Sequence, residues 1–122
     1  LILVDTSVWI DHLRANDARL VALLQGHRVM AHPFVIGEIA LGNLRHRSTV
    51  LTDLRYLPQS VMASDDEVLE FLERHALCGS GIGYIDAHLL ASVHLTPDCR
   101  LLTHDRRLRT LASKLGVADS GT

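Results

Sequence analysis

The 122 residues hold one lysine, two cysteines, three prolines and five aromatic side chains. Each shortage closes off a class of protein. Cys78 and Cys99 form no CxxC pair, so neither a disulfide framework nor a zinc ribbon is expected. The eight histidines include no HExxH, and His88 and His94, six positions apart, fall on different faces of a helix. No apolar run approaches the ~20 residues that span a bilayer. The opening "LILV" is too short for a signal-peptide core and has no basic residue before it, so a cytoplasmic protein is the expectation. Strong positive charge is missing as well. A net charge of -2 argues against a general nucleic-acid coat protein but leaves room for an enzyme with a local basic patch. Every basic residue except Lys114 is an arginine, the better partner for phosphate or carboxylate forks.

What is present is an ordinary globular balance, 48% hydrophobic and 21% charged, in a length that suits one domain over residues 1–122. Repeats and low-complexity stretches are absent. "LILV" (1–4), "VMA" (29–31) and "CRLLT" (99–103) are short apolar runs of the kind buried in parallel sheets. Between them lie helical patterns: 19–26, stopped by Gly26; 32–44, with Pro33 in its first turn; 47–58, ended by Pro58. Ser64 and Glu67 form a capping box ahead of Val68, Leu69, Phe71 and Leu72. A glycine-rich approach then leads into an apolar helix that stops before Pro97, and an amphipathic helix over 105–116 ends at Gly116. "QSVMAS" (59–64) and "VADS" (117–120) are candidate short strands. Alternating strands and helices predict a parallel α/β fold, in which ligands gather outside the carboxyl ends of the strands.

Four acids sit in apolar company. Asp5 follows "LILV", Asp105 stands two residues after "LLT", Glu38 lies inside "PFVIGEIALG", and Asp86 opens "DAHLLAS". A partly buried carboxylate is costly unless paired or bound to a cation. Two carboxylates ~4 Å apart repel by roughly 4 kcal/mol at an effective dielectric near 20. The only lysine is far from all four, and hard oxygen donors without histidine or cysteine suit Mg²⁺ or Mn²⁺. Helix capping would account for Asp5 or Asp105 alone, and a first-turn position for Asp86. Thr6 and Ser7 offer hydroxyls for the first cap, which would free Asp5 from it. Glu38 has no such explanation.

The flanks of these acids resemble those of the PIN-domain ribonucleases, and more narrowly the VapC toxins of bacterial toxin–antitoxin pairs. "LILVDTSVWIDHLR", "HPFVIGEIALGNL", "GIGYIDAHLLAS" and "LLTHDRRLRTLASKLGV" are similar to the family's four acid-bearing segments, in the family's order and over essentially the whole chain. The resemblance implies a three-layer α/β/α sandwich with a central parallel sheet, often a homodimer. It implies endonucleolytic cleavage of RNA by a site of Asp5, Glu38, Asp86 and Asp105 holding Mg²⁺ (or Mn²⁺), with Thr103 as a supporting hydroxyl. Asp5 and Asp86 are expected to bind the ion directly, Glu38 and Asp105 directly or through water. His88 and His104 are expected to be bystanders. The family also implies a VapB-type antitoxin that wraps the toxin, promoter DNA being bound only through the antitoxin. Arg45 and Arg47 after the Glu38 helix, and Arg106, Arg107 and Arg109 beyond Asp105, are candidate RNA phosphate contacts. Apolar excess in 33–41 and 84–95 is expected to be covered by a second copy or by antitoxin.

Other α/β classes fit less well. A haloacid-dehalogenase-like phosphatase uses DxDx[TV], and Ser7 occupies the second aspartate position. A response-regulator receiver needs an early acidic pair and a lysine near the last strands, whereas Lys114 lies deep in a helix. A PIN-like binding module without activity would be expected to have lost acids, and all four are present.

Overall fold

The computed structural model describes residues 1–119. Its elements run β1 (Ile2–Val4), α1 (Thr6–Ala15), α2 (Ala18–Gln25), β2 (Val29–Met30), α3 (Pro33–Ala40), α4 (Arg47–Tyr56), α5 (Asp65–Arg74), α6 (Tyr84–Leu95), β3 (Arg100–Leu102) and α7 (Arg106–Lys114). The three strands form a parallel sheet in the order β2-β1-β3. Parallel neighbours require crossover connections, and the helices supply them. The α/β sandwich expected from the sequence is the fold observed.

The order in which strands are added reverses around β1. The first half runs outward through β2 to a single parallel pairing of Ala31 with Gln59. The second half crosses to the opposite edge with β3 and a single pairing of Leu101 with Ala118. The carboxyl ends of β1 and β3 therefore flank the topological switch point, where α/β sheets bind ligands. Ile2, Leu3 and Val4 are at most 1% exposed, each worth ~1.5–3 kcal/mol of burial. They fix the carboxyl end of β1 in the middle of the core.

Helix α6 lies deeper than its sequence suggested. Seven consecutive residues, Ala87 to Val93, are buried, so the middle of the helix is covered on every side. Over 87–93 the chain itself covers the helix, so the apolar surface expected to meet a second copy or antitoxin is confined in α6 to its ends, where Tyr84, Ile85 and Leu95 are exposed. The expected 59–64 strand is also reduced to one pairing. Beyond Gln59, the N–H groups of Val61 and Ala63 donate to Thr96 Oγ1 (3.0 Å) and Ser92 Oγ (3.2 Å), so side chains of α6 and its C-cap replace a neighbouring strand. The helix expected over 32–44 stops at Ala40, where the Arg47 guanidinium donates to the carbonyls of Ala40 and Gly42. "VADS" reduces to the Leu101–Ala118 pairing, and its Ser120 lies outside the described residues. The capping box of Ser64 and Glu67 is present in both directions. Among the described residues both cysteines are free thiols, and no helix is long and apolar enough to cross a membrane.

His32 is a pH-sensitive part of this core. It is fully buried; its Nδ1 caps α3 by accepting the Phe34 N–H (3.0 Å), which leaves the ring proton on Nε2 for Ser92 Oγ (3.2 Å). Burial, then the neighbouring His88, lowers its pKa from 6.5 to about 4. The unfolded chain takes up this proton first as pH falls. His32 therefore contributes full stability above pH 6.5, and about 3 kcal/mol of it is lost between pH 6.5 and 4. Urea unfolding at pH 7 and pH 4.5 should show this loss, and His32→Gln should flatten the acid limb. An unchanged pH slope in that variant would remove His32 from the account.

Candidate metal centre

Asp5 leaves β1 with 5% exposure and no freedom to turn. Its Oδ1 accepts the Thr6 N–H (2.8 Å), and its Oδ2 accepts both Ser7 Oγ (2.9 Å) and Thr103 Oγ1 (2.7 Å). Asp5 is thus itself the N-cap of α1, contrary to the expectation that Thr6 and Ser7 would free it from capping. Those hydroxyls serve the acids instead. Thr6 Oγ1 donates to Glu38 Oε1 at 2.7 Å, bringing the partly buried glutamate of α3 onto the start of α1.

The far side of the site is tied to the same hydroxyls. Thr103 Oγ1 accepts the Asp105 N–H (3.0 Å), and Ser7 Oγ accepts the His104 N–H (3.0 Å). Asp105 in turn caps α7, its Oδ1 accepting the Leu108 N–H at 2.9 Å. Both aspartates are therefore helix caps, and both stand at strand carboxyl ends joined through Thr103. A chain of hydrogen bonds joins Glu38, Thr6, Asp5, Thr103 and Asp105 across the carboxyl ends of β1 and β3.

Asp86 stands in the first turn of α6 and completes the set electrostatically. Burial raises its pKa most, followed by the charge of Asp5, with Asp105 and Glu38 adding to it and the Gly83 backbone opposing. Asp86 is thus close enough to feel the charges of Asp5, Asp105 and Glu38, and those charges disfavour its ionised form. A cation would relieve that repulsion. Among the described residues no three histidine, cysteine, aspartate or glutamate side chains converge closely enough to hold an ion unaided. Mg²⁺ takes hard oxygen donors, often one or two carboxylates with water completing its shell. The all-oxygen donor set fits such a group.

The surrounding residues divide. His104 is clamped, with Nδ1 2.6 Å from Asp11 Oδ2 and Nε2 3.3 Å from Asp17 Oδ2, which ties the β3–α7 turn to α1. His88 is buried below Asp65 (3.1 Å), away from the acids' hydrogen bonds. Arg47 is engaged with the end of α3. Arg107 donates to Gly81 O (3.3 Å), strapping α7 to the glycine turn ahead of Asp86; Gly81 has φ +86° and a Cβ there would come 2.9 Å from that guanidinium. Arg106 is exposed, and Arg45 lines a groove shared with Glu38. Sequence reasoning missed the roles of Thr6 and Ser7; the run "DTS" directly after a buried strand was the available sign.

Comparison with known proteins identifies the family. The PIN domain family model matches residues 2–114. Ribonuclease VapC32 of Mycobacterium tuberculosis, in strains CDC 1551 / Oshkosh and H37Rv, is 50% identical over 118 residues, covering 97% of this chain and 95% of the relative. Among solved structures, FitAB bound to an IR36 DNA fragment contains a chain with the same fold, at a TM-score of 0.64 and 18% identity over 97% of this chain and 92% of that one. The chain belongs to the PIN-domain family, within its VapC ribonucleases.

Proposed function

We propose that this chain is the toxin of a type II toxin–antitoxin pair, a Mg²⁺- or Mn²⁺-dependent endoribonuclease that hydrolyses phosphodiester bonds of single-stranded or structured RNA. The observation that carries the reading is the chain of hydrogen bonds from Glu38 through Thr6, Asp5 and Thr103 to Asp105 at the switch point, with Asp86 within reach of their charge. Divalent metal, when bound, supplies charge relief on the phosphate and acidifies water. The chain does the rest. Asp5, held by three donors, and Glu38, held by Thr6, present fixed oxygens. Asp86 and Asp105 enter from the second half of the chain, so the four acids line the place where a phosphate would lie. Hydrolysis adds water across one P–O bond, and carboxylates at these positions are suited to accept the proton that water loses.

The wider reading follows the family: a VapB-type antitoxin as inhibitor, promoter DNA contacted only through it, a cytoplasmic location and a homodimer. The net charge of -2 supports indirect DNA contact. Exposed Tyr84 and Ile85 at the start of α6 support a partner surface. The test is cleavage of total RNA by antitoxin-free protein. Cleavage with Mg²⁺ should fall to background in EDTA and return on adding Mg²⁺ back, and light scattering should read twice the chain mass. Undiminished cleavage in EDTA would rule out the metal-dependent mechanism, and a monomer at tens of micromolar would rule out the dimer.

A further inference from the structure

Beside the acids runs a cleft of about 590 Å³ that the four carboxylates do not enter. Three arginines from three elements line it: Arg19 from α2, Arg100 from β3 and Arg109 from α7. Each is pinned. Arg19 grips Asp119 with two N–H groups (2.9 and 3.2 Å), Arg100 Nη1 lies 3.3 and 3.5 Å from the carbonyls of Gly116 and Ala118, and Arg109 Nη2 donates to Thr103 O at 3.4 Å. A guanidinium has five donors, so each arginine keeps more than its hydrogen bonds within the chain use. Asp119 offsets one of the three charges and leaves two.

The cleft shares a wall with the acid site. Thr103 and His104 line it, while Thr103 donates to Asp5 and the His104 N–H donates to Ser7. A polyanion reaching the acids along this side passes held, net-positive arginines whose fork geometry matches phosphate.

We propose that this cleft binds a backbone phosphate of the RNA strand to one side of the bond that is cut. The proposal rests on the ribonuclease reading above and adds to it a second point of attachment, built from Arg19, Arg100 and Arg109. Such a contact positions the strand without reading its bases. It also registers the scissile bond against acids that would otherwise repel it.

Ser113 gives a test that removes no arginine contact, because its exposed side chain lines the cleft. Binding of a fluorescein-labelled 20-nucleotide single-stranded RNA, followed by anisotropy in Ca²⁺ buffer, should weaken about tenfold in Ser113→Glu and tighten in Ser113→Lys. Arg109→Gln should weaken it similarly and reduce the slope of log K against log salt by about 0.7. In cleavage assays Ser113→Glu should raise the RNA concentration needed for half-maximal rate and leave the saturating rate unchanged. If wild type cuts RNA and both Ser113 variants bind as wild type does, the cleft assignment is overturned and the ribonuclease reading stands. If wild type neither binds nor cuts RNA, both fall. Should Ser113→Glu weaken competition by inorganic phosphate but not RNA binding, the cleft serves free phosphate, and the RNA assignment is overturned.

Discussion

Asp5→Asn should lower RNA cleavage about 1000-fold while leaving the protein folded, on the scale of losing one preorganised electrostatic group from a charged site. The amide keeps one acceptor oxygen where the carboxylate has two, so it can serve the Thr6 N–H or the Ser7 and Thr103 hydroxyls, but not both as now. Lost charge-assisted bonds cost up to about 2 kcal/mol, and relief of repulsion with the other acids offsets part of that. The same substitution has a second readout. The charge of Asp5 is the leading electrostatic cause of the raised Asp86 pKa, so NMR titration should find the Asp86 carboxyl nearer its ordinary range in the variant. Wild-type cleavage by Asp5→Asn would end the four-carboxylate mechanism. An unmoved Asp86 titration would show that burial alone sets it.

Thr103→Val should lower cleavage about 100-fold and stability by about 2 kcal/mol, whereas Thr103→Ser should stay near wild type. Valine keeps the shape of a side chain that is 3% exposed and removes only the hydroxyl. That hydroxyl donates to Asp5 Oδ2 and accepts the Asp105 N–H, so its loss frees one acid and unmoors the other. A buried N–H left without a partner costs about 1–3 kcal/mol, and hydrogen bonds to a charged group run about 1.5–3. Small displacements of catalytic groups can cost on the order of 100-fold in rate. Initial rates and urea midpoints separate the two effects. A valine variant that is destabilised yet fully active would make Thr103 a core residue and nothing more.

The four acids were legible because the apolar runs around them set their places. A strand as short as "LILV" has one carboxyl end, and Asp5 must stand there. Asp105 follows from β3 in the same way, and Glu38 was conspicuous for lack of a polar face. What the sequence concealed was how these acids are held. The sequence sets capping against a site role for Asp5; the structure shows the cap, and a carboxylate has enough lone pairs to leave room for both. The end of α3 was hidden because apolar spacing continues to Leu44, while the helix is stopped by a side chain seven residues on, Arg47. Composition reads 59–64 as a strand, yet its partners beyond Gln59 are Ser92 of α6 and the capping Thr96, which no local pattern announces. The burial of the middle of α6 on every side was likewise a property of the whole chain.

The reversal of strand order at β1 has a consequence for the protein's birth on the ribosome. Asp5 and Glu38 come from the half that builds toward β2, Asp86 and Asp105 from the half that returns to β3. A nascent chain that has formed only its first half carries two acids and an open edge where β3 will dock. The fourth acid belongs to residue 105 of 122, and the hydroxyl that orients Asp5 from that side belongs to residue 103. The proposed metal site therefore has all four of its acids only after β3 and the turn into α7 have been made.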